Sequence, residues 1–341
     1  MSRVTRSVFD RERDIARVKK GRVEHHIGVL TAEWSALADR SPVDGLPIGA
    51  LRSWIMRDFA QADYLASRFR RRHNLSSYVV FFVPPLAVLL GFIGYLFYRS
   101  SWGWPAIEFG LLGVNIVVLI LARRGHVHRK SIYYRCLAER LRSLYFTSFV
   151  PSTARVTASE PHFDEDPSER AIAEIIASLI ARRPELPEID AGYEAHARSY
   201  LVEAWIEQQV KYHVQRSHAN RQLHRFCQGA TYALFGTAIL VAGVHAYLVS
   251  QQIDRAESFV VLFAIAAPIA GGILHGWALH REYERNADRY HRMADLLRHA
   301  RTEMRCAESP SEVAADVDRL IREENTHWFG VMRFHDVELV V

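Results

Sequence analysis

The chain has 341 residues, a formal net charge of +5 and a hydrophobic share of 49%. Such an average fits a soluble protein, but the distribution does not, because four apolar blocks alternate with strongly charged stretches. The basic residues are almost all arginine, lysine occurring only at Lys19, Lys20, Lys130 and Lys211; a bias this uniform argues for no nucleic-acid partner.

Residues 1–57 read as an N-terminal helical segment on the cytoplasmic side, with no apolar stretch to serve as a signal-peptide core. Ser41–Pro47 is a loop, and Ala50, Leu51, Trp54, Ile55 and Phe59 form an apolar stripe beyond it. The block Asp58–Ala66 leads into the first membrane span, residues 78–98, a run without a single charge. Crossing about 30 Å of hydrocarbon takes roughly 20 apolar residues, which this run supplies. Its Pro84-Pro85 pair predicts a kink rather than a break. The second span covers residues 104–122, with Trp102 and Trp104 at the interface. Polar Pro151–Pro167 follows, then an amphipathic helix carrying Ile172, Ile175, Ile176, Leu179 and Ile180; residues 151–189 form a linker. A helix beginning near Asp190, with Tyr200, Leu201, Trp205 and Tyr212, runs into the third span at 230–249, and the fourth covers 259–279. Near the end, Ser309-Pro-Ser-Glu312 reads as a cap opening a helix with Val313, Val317, Leu320 and Ile321, and Trp328–Val341 as an extended hydrophobic tail.

Arginine and lysine next to span ends set orientation. Arg70, Arg71 and Arg72 precede the first span, Arg123, Arg124 and Arg129 follow the second, and Arg281 and Arg285 follow the fourth. The loops inside the hairpins carry only Arg99 and Arg255. This basic collar places both termini and the middle segment in the cytoplasm, with the chain in the inner (plasma) membrane and the bilayer as its first partner. Cys136, Cys227 and Cys306 then face a reducing compartment and are expected as free thiols.

A repeat organises the spans. After the second span come Arg129, Tyr134, Leu137-Ala138-Glu139, Leu141 and Arg142; after the fourth, at identical spacing, come Arg285, Tyr290, Met293-Ala294-Asp295, Leu297 and Arg298. Each copy follows a two-span hairpin, and each span continues into a cytoplasmic helix. The expected fold class is an all-α membrane protein, four transmembrane helices as two duplicated hairpins with long cytoplasmic helical extensions. The repeats occupy residues 58–150 and 190–341.

Chemistry is sparse. The chain has no phosphate-binding glycine loop, no Gly-x-Ser-x-Gly and no His-Glu-x-x-His, so no catalytic residue, cofactor or enzymatic activity is expected. His126-Val-His128 places its imidazoles on different helix faces, and no metal is expected there or at His213, His218 and His224. The informative polar residues lie inside the spans: Asn115, His245 and His275, as pore lining or interhelical hydrogen bonds. Small residues at Gly91, Gly94, Ala267, Gly271, Gly272 and Gly276 predict close helix packing, between hairpins or between subunits.

The lead-in Ala62-Asp63-Tyr64-Leu65-Ala66, its counterpart from Trp205 to Tyr212, the two Tyr-x-x-aliphatic-Ala-acid motifs and the ending Glu324-Asn325-Thr326-His327-Trp328 resemble the SLATT superfamily. These are bacterial two-transmembrane effector domains associated with SMODS nucleotide synthases and SLOG nucleotide sensors, here in tandem. The resemblance implies an effector that oligomerises and forms a pore or disrupts the membrane in anti-phage defence. The first 75 residues lack the glycine-rich strand-turn-helix of a SLOG fold. The trigger then falls to a separately encoded nucleotide sensor or synthase, or to the cytoplasmic helices themselves. The alternatives are a non-conducting scaffold that recruits a cytoplasmic partner, and a small channel or transporter outside defence.

Overall fold

The computed structural model describes residues 10–39, 44–98, 101–151, 167–252 and 257–332. Residues 41–43 of the predicted loop, Arg99, Arg255, most of the polar stretch after Pro151 and the end of the tail lie outside them. Among the described residues the chain is helical, without strands.

The elements in order are α1 (Arg11–Ala16), α2 (Lys20–Ala38), α3 (Ile48–Phe97), α4 (Gly103–Arg124), α5 (Val127–Thr147), α6 (Pro167–Ile180) and α7 (Ala191–Tyr200). A π-helical segment, Leu201–Ile206, joins α7 to α8 (Glu207–Ser250); α9 (Glu257–His280), α10 (Tyr283–Cys306) and α11 (Pro310–Met332) complete the chain. Asp10 caps α1 and Asp190 caps α7, their carboxylates accepting from the backbone N–H of Arg13 at 3.0 Å and Tyr193 at 2.6 Å. Proline opens both α6 and α11, where a missing N–H costs nothing.

Among the described residues four helices are long and apolar enough to cross a membrane, one in each predicted block. α3 continues through Pro84 and Pro85, so lead-in and first span are one helix of 50 residues. α11 continues to Met332, where the sequence suggested an extended tail from Trp328. A lone Gly330 costs about 1 kcal/mol in a helix, too little to end one in the absence of proline.

By contact the chain divides into two units, each assembled from separate stretches. The first, the stalk, takes the described parts of Met1–His73, His126–Tyr212 and Met293–Val341. Its core is aromatic: Trp34 lies 4.4 Å from Tyr145 between ring centroids, and Phe146 stacks on Trp205 at 5.5 Å and 8°. Polar groups inside it are mostly paired, Tyr145 Oη with Tyr200 Oη at 3.0 Å and the Tyr193 hydroxyl donating to the Phe149 carbonyl at 3.1 Å. Burial pushes the Tyr145 phenol far above its ordinary range. The N-terminal helix is fastened by its buried Asp14, whose two carboxylate oxygens each lie 2.7 Å from Lys130 Nζ, with the Tyr134 hydroxyl donating at 2.9 Å. Arg11 adds an ion pair to Asp58.

The second unit takes Asn74–Gly125 and His213–Arg292 and holds the apolar parts of the spans. In it, Gly91 and Gly94 allow the first hairpin to close. A methyl group on Gly91 would overlap the Glu108 carboxylate, and one on Gly94 would overlap the Trp104 side chain. The hairpins meet around Trp277, whose ring centroid lies 4.7 Å from that of Tyr78, 5.4 Å from Phe81 and 5.2 Å from Phe82.

Candidate functional site

The two repeats have the same backbone at the exit from the membrane. His126 and Glu282 are both non-glycine residues in the left-handed region, each at φ 47°, and each stands three residues before its repeat's arginine, Arg129 or Arg285. They break the helix between α4 and α5 and between α9 and α10. Beyond the joint, Leu137, Ala138 and Leu141 are buried, as are Met293, Ala294 and Leu297. The acid and the last arginine of each motif pair, Arg142 to Glu139 at 2.9 Å and half-buried, Arg298 to Asp295 at 2.6 Å and exposed. The repeated letters thus encode a buried edge and an i,i+3 bridge.

The lead-in is also structural. Ala62 and Leu65 are buried, and Asp63 pairs with His26 at 2.9 Å. Burial pulls the Asp63 carboxyl upward, but the His26 hydrogen bond and the charges of Arg142 and Arg70 outweigh it and hold the group below its usual range. In the second copy Trp205 is buried, and Glu207 accepts from Arg301 at 2.6 Å.

Of the polar residues expected inside the spans, Asn115 is buried at 5% exposure, and its Oδ1 has no hydrogen-bond partner among the described residues. Nε2 of half-buried His245 is likewise enclosed and unpartnered. His275 is exposed and lines a cavity of about 450 Å³ with His224, Cys227, Gln228 and others, which neither Asn115 nor His245 lines. A carboxylate was overlooked: Glu108 lies within the second span and packs over Gly91. Its signal was the only acid in an otherwise uncharged block, the usual mark of a functional group in hydrocarbon.

The small residues divide. Gly91 and Gly94 pack within the first hairpin, Gly271 lies against Leu234 and Phe235 in the second, and Gly276 faces Phe81 across the two. Ala267 is buried, whereas nothing lies within 4 Å of a Cβ on Gly272. In the collar, Arg70, Arg71, Arg72, Arg123, Arg124 and Arg285 are exposed and Arg129 is half-buried. Arg281 donates to Asn74 Oδ1 at 3.1 Å and lies over Trp277. Burial pushes the Cys136 and Cys227 thiols up, which makes them poor nucleophiles. Among the described residues no three His, Cys, Asp or Glu side chains gather as a metal site.

No curated protein and no solved structure matches the chain. The second hairpin and its flanking helices, residues 201–328, match the family model described as SMODS and SLOG-associating 2TM effector domain 1, the SLATT family.

Proposed function

We propose that this membrane protein is a bacterial inner-membrane effector, oriented with both termini in the cytoplasm, that oligomerises through its spans and permeabilises the membrane when its stalk is rearranged. The match of residues 201–328 to a two-transmembrane effector domain carries the reading. The spans support it, since between 0% and 11% of each apolar window is buried within the chain, which leaves their faces to lipid or to further copies. The unpartnered polar atoms of Asn115 and His245 are the groups a neighbouring chain or a water-filled path would satisfy. The role is one in anti-phage defence, without catalysis, cofactor or nucleic acid, and a separately encoded nucleotide sensor or synthase supplies the trigger.

The test is inducible expression followed by a membrane-potential dye and viable counts. Activated cells should depolarise within minutes, and replacing Asn115, His245 and His275 together by leucine should abolish the depolarisation while leaving membrane insertion intact. Cells that stay polarised and grow normally would leave a scaffold as the better description.

A further inference from the structure

The cavity beneath the fourth span lies at one of the two left-handed joints. Its walls change character along the helices. Thr231, Tyr232, Phe235, Ala278 and Leu279 form the apolar part, and His224, Gln228, Glu282, Glu284 and Arg285 form a polar mouth where the apolar sequence ends. Glu282 is the left-handed residue itself. Tyr232 and Leu279, on the apolar side, are 67% and 63% exposed, so the cavity is open sideways to the hydrocarbon. A volume of about 450 Å³ falls in the range of small-ligand sites, roughly 300–1,000 Å³.

The charges at the mouth select among amphiphiles. One arginine stands with two glutamates: Arg285 lies 3.4 Å from Glu282, and His224 lies 3.9 Å from Glu284. An anionic head would meet two carboxylates, and a purely cationic one would meet Arg285. A head carrying both a phosphate and a primary ammonium satisfies both, with phosphate on Arg285 and His224 and ammonium on the glutamates. We infer that this cavity binds a phospholipid with a phosphoethanolamine head, drawn from the leaflet at the arginine-rich end of the spans. Its acyl chains lie along Phe235, Tyr232 and Leu279, and its head spans the joint between α9 and α10. The bound lipid thereby bridges the helices on either side of Glu282.

The experiment uses the full chain, purified in mild detergent and exposed to an equimolar mixture of phosphatidylethanolamine and phosphatidylglycerol, with retained lipid read by native mass spectrometry. The wild type should retain phosphatidylethanolamine several-fold over phosphatidylglycerol. Ala278→Phe, which fills the cavity, should lose that retention several-fold, and Glu284→Arg should reverse the head preference. Equal retention of the two lipids by the wild type, or a preference unchanged in Glu284→Arg, overturns the site. If Ala278→Phe disturbs folding, Glu284→Arg decides alone. Neither readout involves conduction, so failure here is distinct from failure of the effector reading.

Discussion

The two copies of the repeat share a backbone and differ in what surrounds it. Both have a left-handed joint, a buried edge and an i,i+3 bridge at matching positions. In the first copy, α5 is covered by other elements. Tyr134 is fully buried, stacked on Phe69 at 5.7 Å and bonded to Asp14, and α11 packs along the same helix. In the second copy the matching tyrosine, Tyr290, is half-buried, with the Arg289 guanidinium over its ring and His213 at 5.5 Å. One copy has become the foundation of the stalk, and the other keeps a more open exit. A duplicated unit can divide labour this way because its internal geometry needs only a few positions, leaving the remaining surface to diverge.

The comparison can be broken first at Asp14. With one partner removed, a buried carboxylate loses its counter-charge, so Lys130→Ala should cost about 3–5 kcal/mol. Thermal unfolding of the purified chain measures this. At half-buried Tyr290, the matching position of the second copy, Phe removes one hydroxyl and should cost about 1 kcal/mol. Next come the matched leucines. Leu141→Ala and Leu297→Ala each empty a fully buried site and should each cost about 2–5 kcal/mol. A cost at Leu297 well below that range would show that only the first copy is load-carrying.

A third prediction concerns pH and the helix that covers the first copy. Asp318 on α11 is 1% exposed, with Arg322 Nε at 3.0 Å. Burial raises its carboxyl above the ordinary value, against the opposing pull of Arg322, Ser143 and Arg140. The folded state therefore binds that proton more tightly than the unfolded state. Stability from this group is complete below about pH 3.9 and is lost as pH rises through the folded value. Asp318→Asn should melt at or above the wild type near neutral pH, and the difference should close as pH falls toward about 4. A gap that widens on acidification would refute the assignment. The smallest effects belong to the i,i+3 bridges. Arg298→Ala, at a pair whose side chains are 43% and 54% exposed, should cost under about 1 kcal/mol, and Arg142→Ala somewhat more, since it also lies over Phe59.

The spans were legible because a charge-free run of such length has few other uses, and the repeat was legible because its buried edge needs particular side chains at fixed spacing. The faces of α3 and α6 followed from their apolar stripes. The joint at Glu282 left no mark, since left-handed backbone ordinarily announces itself by glycine or asparagine and here falls on glutamate. Asp14 sits in a run of charges that reads as solvated surface, and only the fold brings Lys130 to it. Gly91 was legible as a packing position, but no pattern linked it to its partner Glu108, a lone acid masked by the hydropathy of its block. Asn115, His245 and His275 were recognisable as polar groups in apolar helices, but sequence spacing cannot say whether distant positions converge, and His275 faces a separate cavity.

The left-handed joints have a mechanical consequence. A non-glycine residue in that conformation costs roughly 1–2 kcal/mol, so each hairpin leaves the bilayer through a bend held against its own local preference. Continuing α9 into α10 as unbroken helix would release that energy locally, and only the packing around the bend opposes it. Glycine at position 126 or 282 would relax the bend, and with it any tendency of the hairpin to spring straight. Two such bends, at matching positions of the repeated motif, store the same strain where each hairpin ends.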